Sequence, residues 1–168
     1  MTNISAQLNT KSIYQSSLFS LTISQSSLTT LITMRLHTSV VNTQYIPDTY
    51  SLLEKFIPSV LGSKCFNDHK FAFREESQKT EIGHLFEHIL LEYLCLLKLS
   101  YGVTDPIYNG LTTWDWQKDK RGTFHISLDI GRNELDLFIQ ALKKSILLLN
   151  RILYTKTVNK SPNFLHSN

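Results

Sequence analysis

This chain has few cysteines, little net charge and no long apolar run. Its two cysteines, Cys65 and Cys95, are too few for a disulfide-rich scaffold or a cysteine-based zinc ribbon. The formal net charge is only +3 and no Lys/Arg block is longer than two residues, so nucleic acid is not an expected partner. Apolar runs such as Leu94–Leu97 fall far short of the ~20 residues that span a bilayer, so no membrane partner is expected either.

The rest of the composition is that of one ordinary domain. Apolar residues make up 42% and charged residues 18% of 168 residues, which is enough for a single core without wholesale disorder. The N-terminus lacks the basic start and apolar run of a secretory signal, so we expect a cytoplasmic protein with reduced thiols. We assign residues 1–154 to the domain and the polar residues 155–168 to a frayed tail.

Hydrophobic periodicity and capping residues predict alternating strands and helices. The predicted elements are strands over 13–23 and 28–38, a helix from Asp48 to about Leu61, a candidate short strand at Lys70–Arg74, a helix from Thr80 to about Leu99, strands at Leu111–Gln117 and Thr123–Ile130, and a last helix over about Glu134–Leu153. Repeats and linkers are not evident in this pattern. It therefore predicts a single α+β domain, in which antiparallel strands and hairpins pack with about three helices.

The most informative segment is His84-Leu-Phe-Glu87-His88, which has the spacing His-x-x-Glu-His within a predicted helix. His84 and His88 are four residues apart, so both imidazoles leave the same helix face one turn apart. At that separation two ring nitrogens can reach one tetrahedral zinc ion at ~2.0–2.1 Å each. Glu87 lies beside the same point, where a carboxylate can take a proton from a metal-held water. The spacing is the signature of the inverted zinc hydrolases.

A zinc site needs a third protein ligand, and the motif spacing does not name it. The candidates are four acids: Glu134, Asp136, Asp129 and Glu92. Glu134 and Asp136 have a second explanation, since the helix dipole favours acids in a first turn. The histidine pair has one too, because two solvated histidines on a helix face need no function. The motif is therefore compatible with a metal site and with a plain helix surface.

Other chemically distinctive residues have weaker patterns. Trp114 and Trp116 on the predicted hairpin could form a recognition surface or cover an edge of the core. Cys95 lies in an apolar helical stretch, so we expect it in the core. Cys65 follows a Gly-Ser turn, and only Lys64 is near enough in sequence to lower its pKa.

The segment Thr80–Glu92 resembles the Gly-His-x-x-Glu-His-x-x-Leu-Glu helix in the N-terminal domain of cyanophycin synthetase. Leu31–Leu36 is similar to the strand that precedes that domain's first helix. Phe124–Ile130, followed by Glu134–Ile146, is similar to its final strand and helix. The similarity covers most of residues 10–153, and it is specific around the helix motif.

The resemblance implies a stand-alone domain without the ATP-grasp and Mur-ligase-like domains of that family. Those domains build a polymer of an aspartate backbone with arginine on the side-chain carboxylates, so ATP-dependent polymerisation is not expected of these 168 residues. Some N-terminal domains of the family are metal-dependent hydrolases that cut the polymer, and others are binding platforms. By this resemblance, His84 and His88 are the metal ligands and Glu87 is the base. The third ligand does not transfer, because the loops on either side of Leu111–Gln117 differ from the family pattern. We favour Glu134, in a site that holds one zinc ion per chain.

Three functional hypotheses follow from the motif and the resemblance. The first is a zinc-dependent hydrolase of the aspartate–arginine polymer or a related isopeptide. The second is a non-catalytic accessory domain that binds the polymer or a separately encoded ligase. The third is a vestigial domain whose helix motif is inherited but inactive. A homo-oligomer is compatible with all three. An acid that converges on the histidine pair would favour catalysis, and an apolar third wall would favour binding.

Overall fold

A five-stranded antiparallel sheet forms one layer of the structure. The computed structural model describes residues 11–65 and 72–158. The strands in this part of the chain are β1 Lys11–Gln15, β2 Phe19–Gln25, β3 Thr30–Leu36, β4 Gly110–Thr113 and β5 Thr123–Leu128. They lie in the order β1-β2-β3-β5-β4. The two edges of the sheet are therefore β1 and β4.

Strict alternation in β3 gives the sheet one buried face and one open face. Ile32, Met34 and Leu36 are buried, whereas the intervening residues of the strand are exposed. Thr30 is buried on the same side, and its hydroxyl donates to the carbonyl of Ile130, which removes the cost of burying a polar group. The period-two alternation of the sequence from Thr30 to Leu36 is thus the alternation of buried and exposed residues in the strand.

Helices cover the buried face of the sheet. The described α-helices are α1 Thr49–Phe56, α2 Phe73–Glu76, α3 Ile82–Ser100 and α4 Leu135–Val158, with 3₁₀ helices at Thr43–Tyr45, Pro58–Gly62 and Arg132–Glu134. The two long helices α3 and α4 pack along each other, and α3 also contacts β4 and β5. The predicted single α+β domain is confirmed, and α2 is an addition to the three predicted helices. None of the described helices combines the length and apolarity needed to cross a bilayer.

The predicted strand over 13–23 is in fact the hairpin of β1 and β2. Ser16 makes the turn between them, because its backbone N–H donates to Phe19 O and its hydroxyl accepts from the N–H groups of Leu18 and Phe19. A serine side chain that bonds to nearby backbone in this way competes with a continuous strand. Weak alternation across the whole segment concealed the turn.

Two predictions around the middle of the chain were wrong. The helix from Asp48 ends at Phe56 rather than near Leu61, since Pro58 disfavours helical geometry at the preceding residue and the chain continues as a 3₁₀ helix. The candidate strand at Lys70–Arg74 lies partly outside the described residues. Its described part begins helix α2 after an isolated bridge between Lys64 and Ala72.

Several element ends also differ from the prediction. Strand β4 stops at Thr113 rather than Gln117, because Asp115 begins a turn by accepting from the Lys118 N–H. Glu81 rather than Thr80 is the N-cap of α3. Helix α4 continues to Val158 instead of ending near Leu153, and the remaining tail residues 159–168 lie outside the described part of the chain.

Two glycines set the distance between α3 and the sheet. A Cβ atom at Gly83 would lie 2.3 Å from the Phe124 ring on β5. A Cβ atom at Gly110 on β4 would lie 2.7 Å from a carboxylate oxygen of Glu87 on α3. Contacts this short do not occur between real atoms, so any side chain at either position would push α3 or its neighbours outward.

Replacing Gly83 with alanine is expected to lower the free energy of unfolding by about 1–3 kcal/mol, because the new methyl group must displace the buried Phe124 ring. The better helix propensity of alanine, up to about 1 kcal/mol, offsets only part of this cost. Urea denaturation measures the difference. The matched control is Gly62→Ala, where a Cβ meets nothing within 4 Å and stability should be unchanged or slightly raised. Equal stability of the two variants would contradict the close approach.

Candidate metal centre

A cavity of about 460 Å³ lies between the start of α3, the chain that follows the 3₁₀ helix Pro58–Gly62, and strand β4. Its walls include His84, Glu87 and His88 from α3, together with Cys65 and Thr112. The three motif residues predicted from the sequence therefore share one cavity. Titratable side chains thus line this cavity together with apolar ones such as Leu91 and Leu111.

The two motif histidines lie side by side on α3. Their ring centroids are 4.8 Å apart and the rings are inclined by 75°. This arrangement follows from the four-residue spacing, which places both side chains on one helix face. His84 is half-buried and His88 is buried, so the pair is not the solvated surface pair of the alternative explanation.

Cys65 is the third residue of the cluster. Its Sγ lies 3.4 Å from Nε2 of His84, and one ligand atom from each of Cys65, His84 and His88 lies within 4.8 Å of the others. Bonds of about 2.3 Å to sulfur and about 2.0–2.1 Å to nitrogen in a tetrahedral zinc site separate the two ligand atoms by about 3.5 Å. The observed S–N distance fits this value, and thiolate with imidazole is a donor set that suits zinc.

The hydrogen bond of His88 identifies the nitrogen that is left for a metal ion. The Ser63 hydroxyl has one hydrogen, which it donates to Val60 O at 2.8 Å. Its contact of 3.2 Å with Nδ1 of His88 must then be one in which the ring donates. His88 therefore carries its hydrogen on Nδ1 and keeps a lone pair on Nε2.

His84 is held by a hydroxyl in the same way. Its Nδ1 lies 2.7 Å from the Thr80 hydroxyl, while its Nε2 faces Cys65. Histidines that bind metals almost always have their second ring nitrogen held by such a partner, which fixes the orientation of the ring. Both rings of the pair are thus oriented by their Nδ1 contacts.

Burial keeps both imidazoles neutral near pH 7. His88 stacks on Phe73 with ring centroids 3.8 Å apart. Burial, and secondarily the neighbouring His84, lower the pKa of His88 to about 3. Burial also lowers the pKa of His84, against the opposing effect of Glu76 and Glu81. Neutral imidazole is the form that binds a metal ion.

Glu87 is buried over strand β4. One of its carboxylate oxygens accepts a hydrogen bond from the Thr112 hydroxyl, and the other lies in the space that Gly110 leaves open. Burial raises the pKa of Glu87 to about 7, although the bond from Thr112 acts in the opposite direction. A carboxyl group in this state can both take and release a proton near neutral pH.

The acids considered as a third ligand lie elsewhere. Glu134 contacts the Lys98 ammonium group and accepts from the Tyr108 hydroxyl at 3.0 Å. Lys98 is ten residues beyond His88 on α3, which is about 15 Å along a helix. Among the described residues the clustered ligand atoms come from Cys65, His84 and His88, so the structure does not bring Glu134 to the histidines.

The other three acids are also absent from that cluster. Asp129 accepts from the backbone N–H and the side-chain amide of Asn109. Asp136 is exposed in the first turn of α4, and Glu92 is half-buried one turn beyond His88. Of the two tryptophans, Trp114 lines the cavity, whereas the Trp116 indole N–H donates to Thr123 O.

Cys65 is the cluster member that the sequence did not indicate. It precedes His84 by 19 residues, and no regular spacing connects the two. Helix α2 lies between them in the sequence, and an antiparallel bridge joins Lys64 to Ala72. The one available signal was chemical, since Cys65 is one of only two soft sulfur ligands of this kind in the chain.

Comparison with known families gives one match. The model of the cyanophycin synthase-like N-terminal domain family matches residues 31–115, just over half of the chain. The matched region runs from β3 to the end of β4 and contains every residue of the cluster. A search of curated proteins found no match.

We expect purified protein to hold about one zinc ion per chain, with Cys65→Ser, His84→Ala and His88→Ala each weakening zinc binding. Loss of a ligand should lower the zinc affinity by more than the ~10–100-fold that follows loss of a residue that only hydrogen-bonds to a ligand. Competition with a chromogenic chelator measures the affinity. Cys95→Ser and Glu134→Gln are the controls and should bind like the parent, because neither residue lies in the cluster. Zinc loss in Glu134→Gln with normal binding in Cys65→Ser would restore the acid as third ligand.

Proposed function

This chain belongs to the family of cyanophycin synthase-like N-terminal domains, and on that premise we propose that it is a zinc-dependent hydrolase of an aspartate–arginine polymer or a related isopeptide. One observation carries the proposal. Three ligand atoms of the kinds that zinc prefers converge within 4.8 Å, and the Glu87 carboxylate lines the same cavity. Three protein ligands leave a fourth position open, which is typical of catalytic rather than structural zinc sites.

Cys65, His84 and His88 are the residues that would hold the ion. When bound, a zinc ion supplies a water of lowered pKa and polarises a carbonyl oxygen. The protein's contribution is the fixed orientation of both imidazoles by Ser63 and Thr80, and the neutral state that burial imposes on them. These features fix the ring orientations, and side-chain adjustment would bring ligand atoms that lie within 4.8 Å of one another onto one ion.

Glu87 supplies the proton transfer in this mechanism. Its carboxylate takes a proton from the attacking water, whose oxygen forms a bond to the amide carbon. It then returns that proton to the nitrogen as the C–N bond breaks, which yields a carboxyl group and an amine. The hydrogen bond from Thr112 orients the Glu87 carboxylate, and the absence of a side chain at Gly110 leaves room for it.

The charges around the cavity suit a polymer that carries both guanidinium and carboxylate groups. Glu76 and Glu81 line the cavity beside His84, and Lys64 lines it as well. Carboxylates pair with guanidinium groups through charge-assisted hydrogen bonds, and an ammonium group pairs with a carboxylate. This combination supports the substrate class.

A non-catalytic accessory domain is the second candidate. Trp114 lines the cavity and is 39% exposed, so an aromatic surface is available to a bound chain next to the cluster. In that case the cavity would bind the polymer, or a separately encoded ligase would dock beside it, and no bond would be cut. The ligase partner and a homo-oligomer remain predictions.

Glu87→Gln should separate the two candidates. The substitution keeps the size of the side chain but removes the proton acceptor, so we expect normal zinc content and cleavage slower by about 10²–10⁴-fold. Release of amines from the aspartate–arginine polymer measures cleavage, and metal analysis of the same preparation measures zinc. Glu92→Gln on the same helix is the control and should cleave like the parent. Cleavage at the parent rate by Glu87→Gln would refute the mechanism.

A further inference from the structure

Strand β4 is an edge of the sheet, and its pairing with β5 shows which of its backbone groups face outward. The Asp129 N–H donates to Asn109 O, so this facing pair is hydrogen-bonded. In an antiparallel ladder every second facing pair is hydrogen-bonded. Leu111 and Thr113 therefore use their backbone groups in the ladder with β5, and those of Gly110 and Thr112 point to the open edge.

The outward groups lie next to the candidate metal centre. Gly110 and Thr112 are also the β4 residues next to Glu87. The Thr112 hydroxyl donates to the Glu87 carboxylate, which also fills the space beside Gly110, and both residues line the cavity. None of the described residues forms a hydrogen bond with their backbone N–H or C=O groups. The edge thus presents two donors and two acceptors at the spacing of a strand, along one wall of the cavity.

We infer that an extended peptide main chain binds by adding a strand to the open edge of β4, with alternate side chains directed into the cavity. Main-chain hydrogen bonds of this kind give affinity, and pockets for alternate side chains give specificity. The inference deepens the proposed function, since it names the way in which the substrate of that site is held. A chain on this edge would lie beside Glu87, which contacts both Gly110 and Thr112, and along the cavity that the cluster also lines.

The carboxylates of the cavity wall favour a peptide with cationic side chains, and Lys64 on the same wall can pair with a carboxylate of that peptide. Glu76 and Glu81 line the cavity and both act on His84 with negative charge. A guanidinium-bearing side chain that enters beside them gains charge-assisted hydrogen bonds. An aspartate oligomer that carries arginine on each side-chain carboxylate combines the extended main chain with this charge, and it is the probe for the test.

The test compares Thr112→Pro with Thr112→Val in the Glu87→Gln background, which prevents cleavage. Both variants lose the Thr112 hydroxyl, but only proline removes the outward N–H and places its ring on the edge. Proline is tolerated on an edge strand where the N–H does not serve the ladder. We expect the oligomer to bind at least about tenfold more weakly to Thr112→Pro than to Thr112→Val in calorimetry.

A second pair of probes keeps the test decisive if Thr112→Pro loses its fold in circular dichroism. The Glu87→Gln protein is titrated with an oligomer N-methylated on every backbone amide, and with one N-methylated only on the side-chain amide links. Binding should weaken at least about tenfold for the first probe relative to the second.

Three results would overturn strand addition. The first is equal affinity within the pair of Thr112 variants or within the pair of N-methylated oligomers, and the second is absence of binding to the unmodified oligomer. The third is an effect of Thr112→Pro on the oligomeric state alone, which would assign the edge to a second copy of the chain. Cleavage is scored separately with the unsubstituted protein. Binding with the expected pattern but without cleavage would leave strand addition intact and remove the hydrolase.

Discussion

The close contact between helix α3 and the sheet is the constraint on which the rest of the structure depends. Because Gly83 has no side chain, the first turn of α3 rests directly on the Phe124 ring. The same closeness buries Glu87 against β4 instead of leaving it in solvent. The burial of Glu87 and the place of its carboxylate beside Gly110 both follow from this close contact.

The candidate metal centre joins segments that are far apart in the chain. Helix α3 contributes two imidazoles and a carboxylate, the turn after the 3₁₀ helix contributes Cys65 and Ser63, and β4 contributes Thr112. Nδ1 of each histidine and one carboxylate oxygen of Glu87 have defined hydroxyl partners, and Nε2 of His88 is left for a metal ion. These partners matter because unsatisfied polar groups in a buried site are costly.

The sequence predicted what depends on neighbours along the chain. The inward face of β3 and the shared helix face of His84 and His88 follow from local periodicity, and both are present in the structure. The place of Cys65 does not, because a chain reversal between two elements brings it to His84, and no local pattern encodes that contact. The place of Glu134 likewise depends on where α4 packs along α3, which sets its partner as Lys98.

Gly110 has a consequence for comparing this chain with its relatives. The space that a hydrogen atom leaves there is filled by the Glu87 carboxylate, and even a methyl group would lie 2.7 Å from one of its oxygens. A family member with alanine or a larger residue at this position must therefore hold its acid elsewhere. The residue at the position of Gly110, read from an alignment, would then separate two groups of members. In one group a carboxylate can lie against the edge strand as Glu87 does, and in the other it cannot.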